Sequence, residues 1–250
     1  MCKIKSCLVL KDRVYCPDYD SHQDMLDKLG IKDDYLGASK TFVRVELLPP
    51  DDMETLMEPL DRWTLKVDQD VTPEWWDEKA DRPRVEKAVE AWRGEHVFTE
   101  GKHIVKAGKV YAFDSATVTA FDSATVTAWG SATVEAYGSA TVTAWGSATV
   151  TAWGSATVKA CGSATVTAFD SVTVTAFDSA TVTAFGSATV TAWGSATVKA
   201  WGSATVTAYN GATVTAWDSA TVKAYNHSMA VYPPKKKIVY PAGWTAEMHD

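Results

Sequence analysis

An eight-residue unit recurs from residue 113 onward, and it limits the possible folds more than any other feature of the chain. Its consensus is aromatic, Gly or Asp, Ser, Ala, Thr, Val, Thr, Ala. Self-similarity at a short fixed period is typical of solenoids, in which each unit packs only against its neighbours. The sequence therefore predicts a repetitive β-structure in the C-terminal half of the chain.

Substitutions within the repeat indicate which side chains face water. The residue after each aromatic is Gly, Asp or Asn, which tolerate left-handed backbone, so this position is the predicted corner of the coil. The second Thr is replaced by a charge in four units, at Glu135, Lys159, Lys199 and Lys223. An unpaired charge is costly to bury. Because strand side chains alternate, both Thr columns are predicted to face outward, and Val and Ala inward.

The length of the unit limits how the coil can close. Two sheets about 10 Å apart use most of an eight-residue loop, since each residue advances only about 3.3 Å. We therefore predict an all-β solenoid, a flattened two-sheet β-helix with two octads per 16-residue coil and about seven coils. An antiparallel meander is the alternative, although Gly-Ser and Asp-Ser are poor hairpin turns.

Composition changes abruptly near residue 104. Residues 1–104 carry 16 basic and 23 acidic residues, a net charge of −7, whereas residues 105–250 carry eight of each. We predict a small acidic α+β capping domain over 1–104, the octapeptide solenoid over 105–226, and a C-terminal cap or tail over 227–250. The register is expected to break after Asn226. Residues 233–237, two Pro and three Lys, would then block strand pairing, and residues 238–240 with Trp244 would fold over the last coil.

Charge and hydropathy also bear on partners and location. The acidic domain is repelled by phosphate, so nucleic-acid binding is disfavoured. The sequence contains no apolar run long enough to span a membrane, and residues 7–10 are too short for a signal peptide. We expect a location in the cytoplasm or on a phage particle. Free thiols are predicted for the cysteines Cys2, Cys7, Cys16 and Cys161.

The N-terminal domain is predicted to contain a hairpin from residues 4–10 and 13–16, further strands over 41–48 and 63–67, and helices over 21–29 and 81–93. A helical turn is expected after Pro73. Ser21 begins the first helix in a Ser-x-x-Asp capping box, and Gly30 ends it.

This domain holds few candidate residues for chemistry. An acidic run with one histidine could bind a metal, although a solvated helix cap explains it as well: Asp18, Asp20, His22 and Asp24. A second run, Asp68-Gln69-Asp70, could supply an acid and a base, or only turn carboxylates.

Two further groups have an equally plain explanation. Four tryptophans could line a binding cleft or form the core: Trp63, Trp75, Trp76 and Trp92. Cys16 and His22 have the identities of a nucleophile and a base but no third orienting group. We therefore predict no catalytic residues, no bound metal and no cofactor.

The repeat resembles the octad arrays of bacterial ice-nucleation proteins, which also combine Thr-x-Thr-Ala, an aromatic column and Gly-Ser turns, as in residues 137–144 here. The resemblance implies a surface that binds ice or ordered water. The whole chain is also similar to uncharacterised phage and actinobacterial proteins with a VDQD motif, here residues 67–70, before GSATV octads. That second resemblance implies no activity.

Three functions are compatible with these features: a non-enzymatic scaffold or display surface, ice or water binding, and carbohydrate binding. The ice hypothesis uses the first Thr of each unit: Thr117, Thr125, Thr133, Thr141, Thr149, Thr157, Thr165, Thr173, Thr181, Thr189, Thr197, Thr205, Thr213 and Thr221. Carbohydrate binding, or self-association, would use an exposed aromatic ladder: Phe113, Phe121, Trp129, Tyr137, Trp145, Trp153, Phe169, Phe177, Phe185, Trp193, Trp201, Tyr209, Trp217 and Tyr225. The alternative for these rings is to tuck inward and shield the ends of the core.

Overall fold

The computed structural model describes residues 5–32, 41–50 and 56–232. The chain divides into two compact units between His96 and Val97, which precedes the predicted boundary at residues 104 and 105. The difference arises because residues 97–105 already contain two strands that pair with the repeat. Among the described residues, no helix has the length and apolar character needed to cross a membrane.

Within its described residues, the first unit combines an antiparallel sheet with two helices, which matches the α+β prediction. The four strands lie in the order β2-β1-β3-β4. Its elements are β1 (Lys5–Leu10), β2 (Val14–Tyr15), α1 (His22–Leu29), β3 (Phe42–Leu48), a 3-10 turn (Leu60–Arg62), β4 (Thr64–Val67) and α2 (Glu78–His96).

The predicted helix signals appear at both ends of α1. The Ser21 hydroxyl accepts a hydrogen bond from the Asp24 amide at 3.2 Å, and Gly30 ends the helix with a left-handed φ of 66°. Helix α2 begins earlier than the predicted start at Asp81, because the Asp77 carboxylate accepts hydrogen bonds from the first backbone amides of the helix.

The second unit is a β-solenoid, as predicted. Its described strands form two parallel sheets with nine strands in each. Successive strands along the chain belong alternately to one sheet and the other. Sheet I consists of β6 (Lys102–Val105), β8 (Thr117–Ala120), β10 (Thr133–Ala136), β12 (Thr149–Ala152), β14 (Thr165–Ala168), β16 (Thr181–Ala184), β18 (Thr197–Ala200), β20 (Thr213–Ala216) and β22 (Met229–Val231). Sheet II consists of β5 (Val97–Phe98), β7 (Lys109–Ala112), β9 (Thr125–Ala128), β11 (Thr141–Ala144), β13 (Thr157–Ala160), β15 (Thr173–Ala176), β17 (Thr189–Trp193), β19 (Thr205–Tyr209) and β21 (Thr221–Ala224).

The pairing register confirms two octads per coil. Thr133 pairs with Thr117 in one direction and with Thr149 in the other, so the strands of the consensus repeat pair with strands 16 residues away. Successive octads therefore lie in opposite sheets, and the antiparallel meander is excluded. Nine strands at about 4.8 Å give a rod of about 38 Å, a little longer than the seven coils predicted.

The solenoid extends beyond both ends of the consensus repeat. At its start, Lys102 pairs with Thr117, one residue short of the regular spacing. At its end, Met229 pairs with Thr213. The predicted break after Asn226 is therefore wrong, because backbone pairing continues through β22 where the side chains no longer follow the consensus. The tail from residue 233, including the predicted cap at residues 238–240 and Trp244, lies outside the described residues.

Candidate functional site

The core of the solenoid consists of Val and Ala from every unit, and it leaves the Thr side chains as the outer surface. In β14, for example, Val166 and Ala168 are fully buried and Thr165 is exposed. Thr127 is an exception among the outward Thr residues, because only 2% of it is exposed. It lies in β9, where it pairs with Tyr111 of β7. The face assignment predicted from the charged substitutions is confirmed.

The first Thr column runs along both faces and is solvent-accessible throughout. Eight of its members are exposed: Thr141, Thr149, Thr157, Thr165, Thr173, Thr189, Thr205 and Thr221. Six are half-buried: Thr117, Thr125, Thr133, Thr181, Thr197 and Thr213. The register aligns Thr with Thr between neighbouring strands, so each face carries a one-dimensional row of hydroxyl groups at the strand spacing.

Charged residues interrupt the second Thr column twice on each face. Sheet I carries Glu135 and Lys199, and sheet II carries Lys159 and Lys223. Glu135 accepts a hydrogen bond from the Thr119 hydroxyl at 3.4 Å. Between its two interruptions, each face keeps three consecutive strands with Thr at both outward positions. These strands are β12, β14 and β16 in sheet I and β15, β17 and β19 in sheet II.

The corners have the predicted backbone conformation. Asp170 has a φ of 55°, and Gly186, which lies over it in the next coil, has a φ of 67°. Asp carboxylates also tie successive corners together: the Gly154 amide donates to Asp170 Oδ2 at 3.2 Å, and the Gly162 amide donates to Asp178 Oδ2 at 3.2 Å. Asp at these corners therefore satisfies a backbone amide of the preceding coil, while it adopts the same left-handed backbone as Gly.

The aromatic residue ends each strand and stacks on the aromatic residue of the next coil. On sheet I this produces an unbroken row, named here the sheet I column: Phe121, Tyr137, Trp153, Phe169, Phe185, Trp201 and Trp217. Its six successive contacts have ring centroids 4.3 to 5.7 Å apart and ring planes within 15° of parallel. Stacked pairs of this kind contribute about 0.5–1.5 kcal/mol each beyond the area that they bury.

The corresponding sheet II column is interrupted at Cys161. Phe113 stacks on Trp129, and Tyr209 stacks on Trp193 and Tyr225, at centroid distances of 4.2 to 5.2 Å. Where the ring is missing, the Lys159 ammonium lies 5.9 Å from the Trp145 ring and 5.4 Å from the Phe177 ring. The ammonium group thus makes cation–π contacts with the two rings that would otherwise stack on an aromatic residue at position 161. Burial raises the pKa of the Cys161 thiol.

The aromatic rings are neither fully outside nor part of the core. Most are half-buried, Phe113 is 6% exposed, and Trp145 and Tyr225 are the exposed ones at 38% and 39%. Stacking covers the ring faces and leaves the ring edges at the surface. On sheet I the predicted ladder therefore exists, and its stacked inner rings present their edges to solvent.

The acidic run of the first unit does not come together as a metal site. Asp20 pairs with the Lys5 ammonium at 3.0 Å, and Asp24 lies in the first turn of α1. His22 instead lies beside Glu46 of β3 and Asp68, which follows β4. One ligand atom from each of the three lies within 4.8 Å of the others.

A lysine pairs with both carboxylates of the His22 cluster. The imidazole Nε2 donates to the Val45 carbonyl at 3.2 Å, and Nδ1 lies 3.3 Å from Asp68 Oδ2. The Lys66 ammonium is 3.3 Å from Glu46 Oε2 and 3.8 Å from Asp68 Oδ1. The two carboxylates, the imidazole and the ammonium therefore form one polar network, in which the lysine offsets one of the two negative charges. Sequence reasoning missed it because its members come from three distant segments.

The other candidates of the first unit have structural roles. The side-chain oxygen of Gln69 accepts a hydrogen bond from the Arg44 backbone amide at 2.8 Å. The Asp68-Gln69-Asp70 segment is thereby attached to β3. Trp63 and Trp92 are buried, which matches their interpretation as core. Trp75 and Trp76 are half-buried beside the turn closed by the Trp76 amide and the Pro73 carbonyl at 3.0 Å.

Cys16 does not pair with His22. The register of β1 and β2 instead places it opposite Cys7, whose thiol shifts its pKa, whereas His22 bonds to the Val45 carbonyl and approaches Asp68. The two-residue turn predicted after Leu10 contained the signal for the cysteine pair, because it brings these two residues opposite each other.

Comparisons with protein-family models, with curated proteins and with solved structures find no match to this chain.

Proposed function

We propose that the solenoid is a non-enzymatic structural or interaction scaffold, a rigid surface that presents the same side chains at a constant interval. The observation that carries this proposal is the strict 16-residue register, which aligns Val on Val in the core and Thr on Thr at the surface. The core is continuous from Val110 to Val222. No coil can bury its apolar residues alone, so the coils support one another as one body.

Surface chemistry favours a second copy of the chain as the partner of the scaffold. The edges of the sheet I column form a continuous apolar stripe, and stripes of this kind mark interaction sites. Its period is the strand spacing of about 4.8 Å. A partner that contacts every ring must have the same period, and another copy of this chain provides one through a symmetric interface.

Sedimentation velocity over a concentration series tests this proposal. We expect the full chain to form dimers or larger species. Replacing Trp153 and Phe169, two adjacent rings of the sheet I column, with Gln should shift the population to monomer. Replacing Trp145 and Phe177, which flank the interruption in the sheet II column, is the matched control and should leave the association largely intact. A wild type that remains monomeric at all concentrations, or equal loss in both double variants, would contradict assembly through the sheet I column.

Ice binding is the second candidate, supported by the three adjacent strands on each face that carry Thr at both outward positions. Hydroxyl and methyl groups would there repeat at about 4.8 Å between strands and about 7 Å along each strand. The charged interruptions limit the size of each patch. We therefore expect weak activity in the wild type.

Thermal hysteresis and freezing onset of the purified chain test the ice hypothesis. Glu135→Thr with Lys199→Thr extends the Thr patch of sheet I and should increase activity. Changing Thr149, Thr165 and Thr181 to bulky residues should abolish it on that face, and the sheet II equivalents are Thr141, Thr157 and Thr173. If neither the wild type nor the Thr-restored variant shows hysteresis or a shifted freezing onset, the ice hypothesis is rejected.

Carbohydrate binding receives less support from the ring geometry. A sugar packs its apolar face against the face of an aromatic ring, and the inner rings of the sheet I column already cover one another's faces. This hypothesis therefore ranks below the scaffold and ice hypotheses.

A further inference from the structure

Two cysteines of the first unit face each other across a β-hairpin. Strands β1 and β2 are antiparallel, with Leu8 opposite Tyr15. One step further from the turn, the same register places Cys7 opposite Cys16. Each thiol also shifts the pKa of the other, which agrees with this placement.

The hydrogen-bond pattern of the hairpin determines how close the two cysteines lie. The turn is closed by the Leu10 amide, which donates to the Arg13 carbonyl at 2.8 Å. Antiparallel pairs alternate between hydrogen-bonded and non-hydrogen-bonded positions, and Cys7 with Cys16 falls three pairs further, at a non-hydrogen-bonded position. The Cα atoms of such a pair are about 4.5 Å apart. Disulfides span Cα separations of about 4.4–6.8 Å, so a disulfide can form here without movement of the strands.

The two thiols differ in their environments. Cys7 is fully buried, and Cys16 is partly exposed. Interaction with the Cys7 thiol lowers the pKa of Cys16, burial offsets part of this effect, and the positive charge of Lys5 lowers the pKa further. Interaction with the Cys16 thiol, together with burial, raises the pKa of Cys7 well above its usual value. Cys16 is thus the thiol that ionises first, and Cys7 holds its proton.

A groove of about 460 Å³ gives access to Cys16. The imidazole of His96 also lines it, and His96 Nδ1 donates to the Trp92 carbonyl at 2.8 Å. In the neutral ring this leaves Nε2 as a proton acceptor. Two carboxylates, Asp18 and Glu95, line the same groove, so it disfavours anionic reagents and admits neutral ones.

We propose that Cys7 and Cys16 form a redox-active dithiol in which Cys16 reacts with a small neutral peroxide and Cys7 resolves the product as an intramolecular disulfide. This proposal is independent of the scaffold function of the solenoid, because every residue that it uses belongs to the first unit.

The chemistry proceeds in two balanced steps. The Cys16 thiolate attacks one oxygen of hydrogen peroxide, the O–O bond breaks, and Cys16 becomes a sulfenic acid while the departing hydroxide takes up a proton to form water. The Cys7 sulfur then attacks the Cys16 sulfur, its proton leaves with the hydroxyl group as a second water, and the S–S bond forms. In total two thiols lose two electrons and two protons, and one peroxide is reduced to two waters.

Peptide mapping of the full chain tests the first part of the proposal. The reduced protein is exposed to hydrogen peroxide, blocked with iodoacetamide and digested with trypsin. Cleavage after Lys5, Lys11, Arg13 and Lys28 separates the two cysteines into peptides 6–11 and 14–28. We expect these peptides to appear joined by a disulfide. If Cys161 is oxidised first while peptides 6–11 and 14–28 remain separate, the proposal is wrong.

Single variants test the separate roles of the two thiols. In Cys7→Ser, Cys16 should stop at the sulfenic acid and be trapped by dimedone. In Cys16→Ser, Cys7 should remain unmodified, because it is buried and protonated. Cys161→Ser is the matched control and should leave the disulfide yield unchanged. Oxidation of Cys7 in the Cys16→Ser variant, or loss of the disulfide in Cys161→Ser, would overturn the assignment.

Rates measured on the wild type avoid any effect of the variants on folding. Thiolate is the nucleophile in alkylation, and a lowered pKa with access to solvent accelerates it at neutral pH. We expect iodoacetamide to label Cys16 at least about tenfold faster than Cys161, and Lys5→Gln to slow Cys16 alone. We also expect disulfide formation to be faster with hydrogen peroxide than with an equal concentration of anionic oxidised glutathione. Equal labelling of the two cysteines, or faster reaction with oxidised glutathione, would contradict the proposal.

Discussion

An exchange of Val and Thr between neighbouring positions tests how the solenoid separates its core from its surface. Val166 in β14 is fully buried and pairs with Val150 and Val182 in the strands on either side. Thr165, the preceding residue, is exposed. Val→Thr replaces a methyl group with a hydroxyl group of nearly the same size, so the same chemical exchange can be made on both faces of a single strand.

The buried exchange should be much more costly than the exposed one. Val166→Thr loses the transfer free energy of one methyl group, about 0.8 kcal/mol, and buries a hydroxyl group for about 1–3 kcal/mol. Both neighbours of β14 already use its backbone groups in the sheet, and its side-chain neighbours in the core are Val and Ala. We therefore expect Val166→Thr to lower the free energy of unfolding by about 2–3 kcal/mol, and Thr165→Val to change it by less than about 0.5 kcal/mol.

Urea unfolding monitored by tryptophan fluorescence provides the measurement, since the chain contains 11 tryptophans. With a slope of about 2–3 kcal/mol per molar urea, Val166→Thr should lower the midpoint by about 1 M. Equal shifts for the two variants, or a larger shift for Thr165→Val, would refute the inward position of the Val column.

Two further changes test the periodicity and the corners. Deleting one octad, residues 157–164, keeps the eight-residue period and should preserve a cooperative melt in circular dichroism. Deleting only residues 161–164 places corner residues in strands and should abolish the cooperative melt. Equal effects of the two deletions would contradict the octad as the structural unit. Gly186 has a φ of 67°, and a Cβ there would lie 3.1 Å from the Asp170 amide nitrogen. We expect Gly186→Val to cost about 2–3 kcal/mol and Gly186→Asn about 1 kcal/mol, because Asn tolerates left-handed backbone; equal losses in urea unfolding would show that backbone conformation is not the cause.

The first unit shows how far local patterns predict the structure. The cap at Ser21, the stop at Gly30 and the two-residue turn after Leu10 were all predictable, because each depends on the conformational preferences of a few adjacent residues. The cluster of His22 with Glu46 and Asp68 was not, because its members lie on different elements and meet only when α1, β3 and β4 pack together. The same reason explains why the acidic run considered as a possible metal site does not come together: Asp20 pairs with Lys5 of β1, a partner distant in the sequence.

In the solenoid, the sequence by itself determined the period, the corners and the direction of the Thr, Val and Ala side chains, since 14 variants of one unit reveal which positions accept charge and which accept only Gly, Asp or Asn. Only the tertiary structure decided how the aromatic rings lie, and it divided them into an unbroken column on sheet I and a column interrupted at Cys161 on sheet II. The physical reason is that strand alternation fixes a direction within one unit, whereas ring stacking depends on residues 16 positions apart. Backbone pairing likewise decided where the array begins and ends. It starts at Val97, before the consensus repeat, and includes Met229, after that repeat.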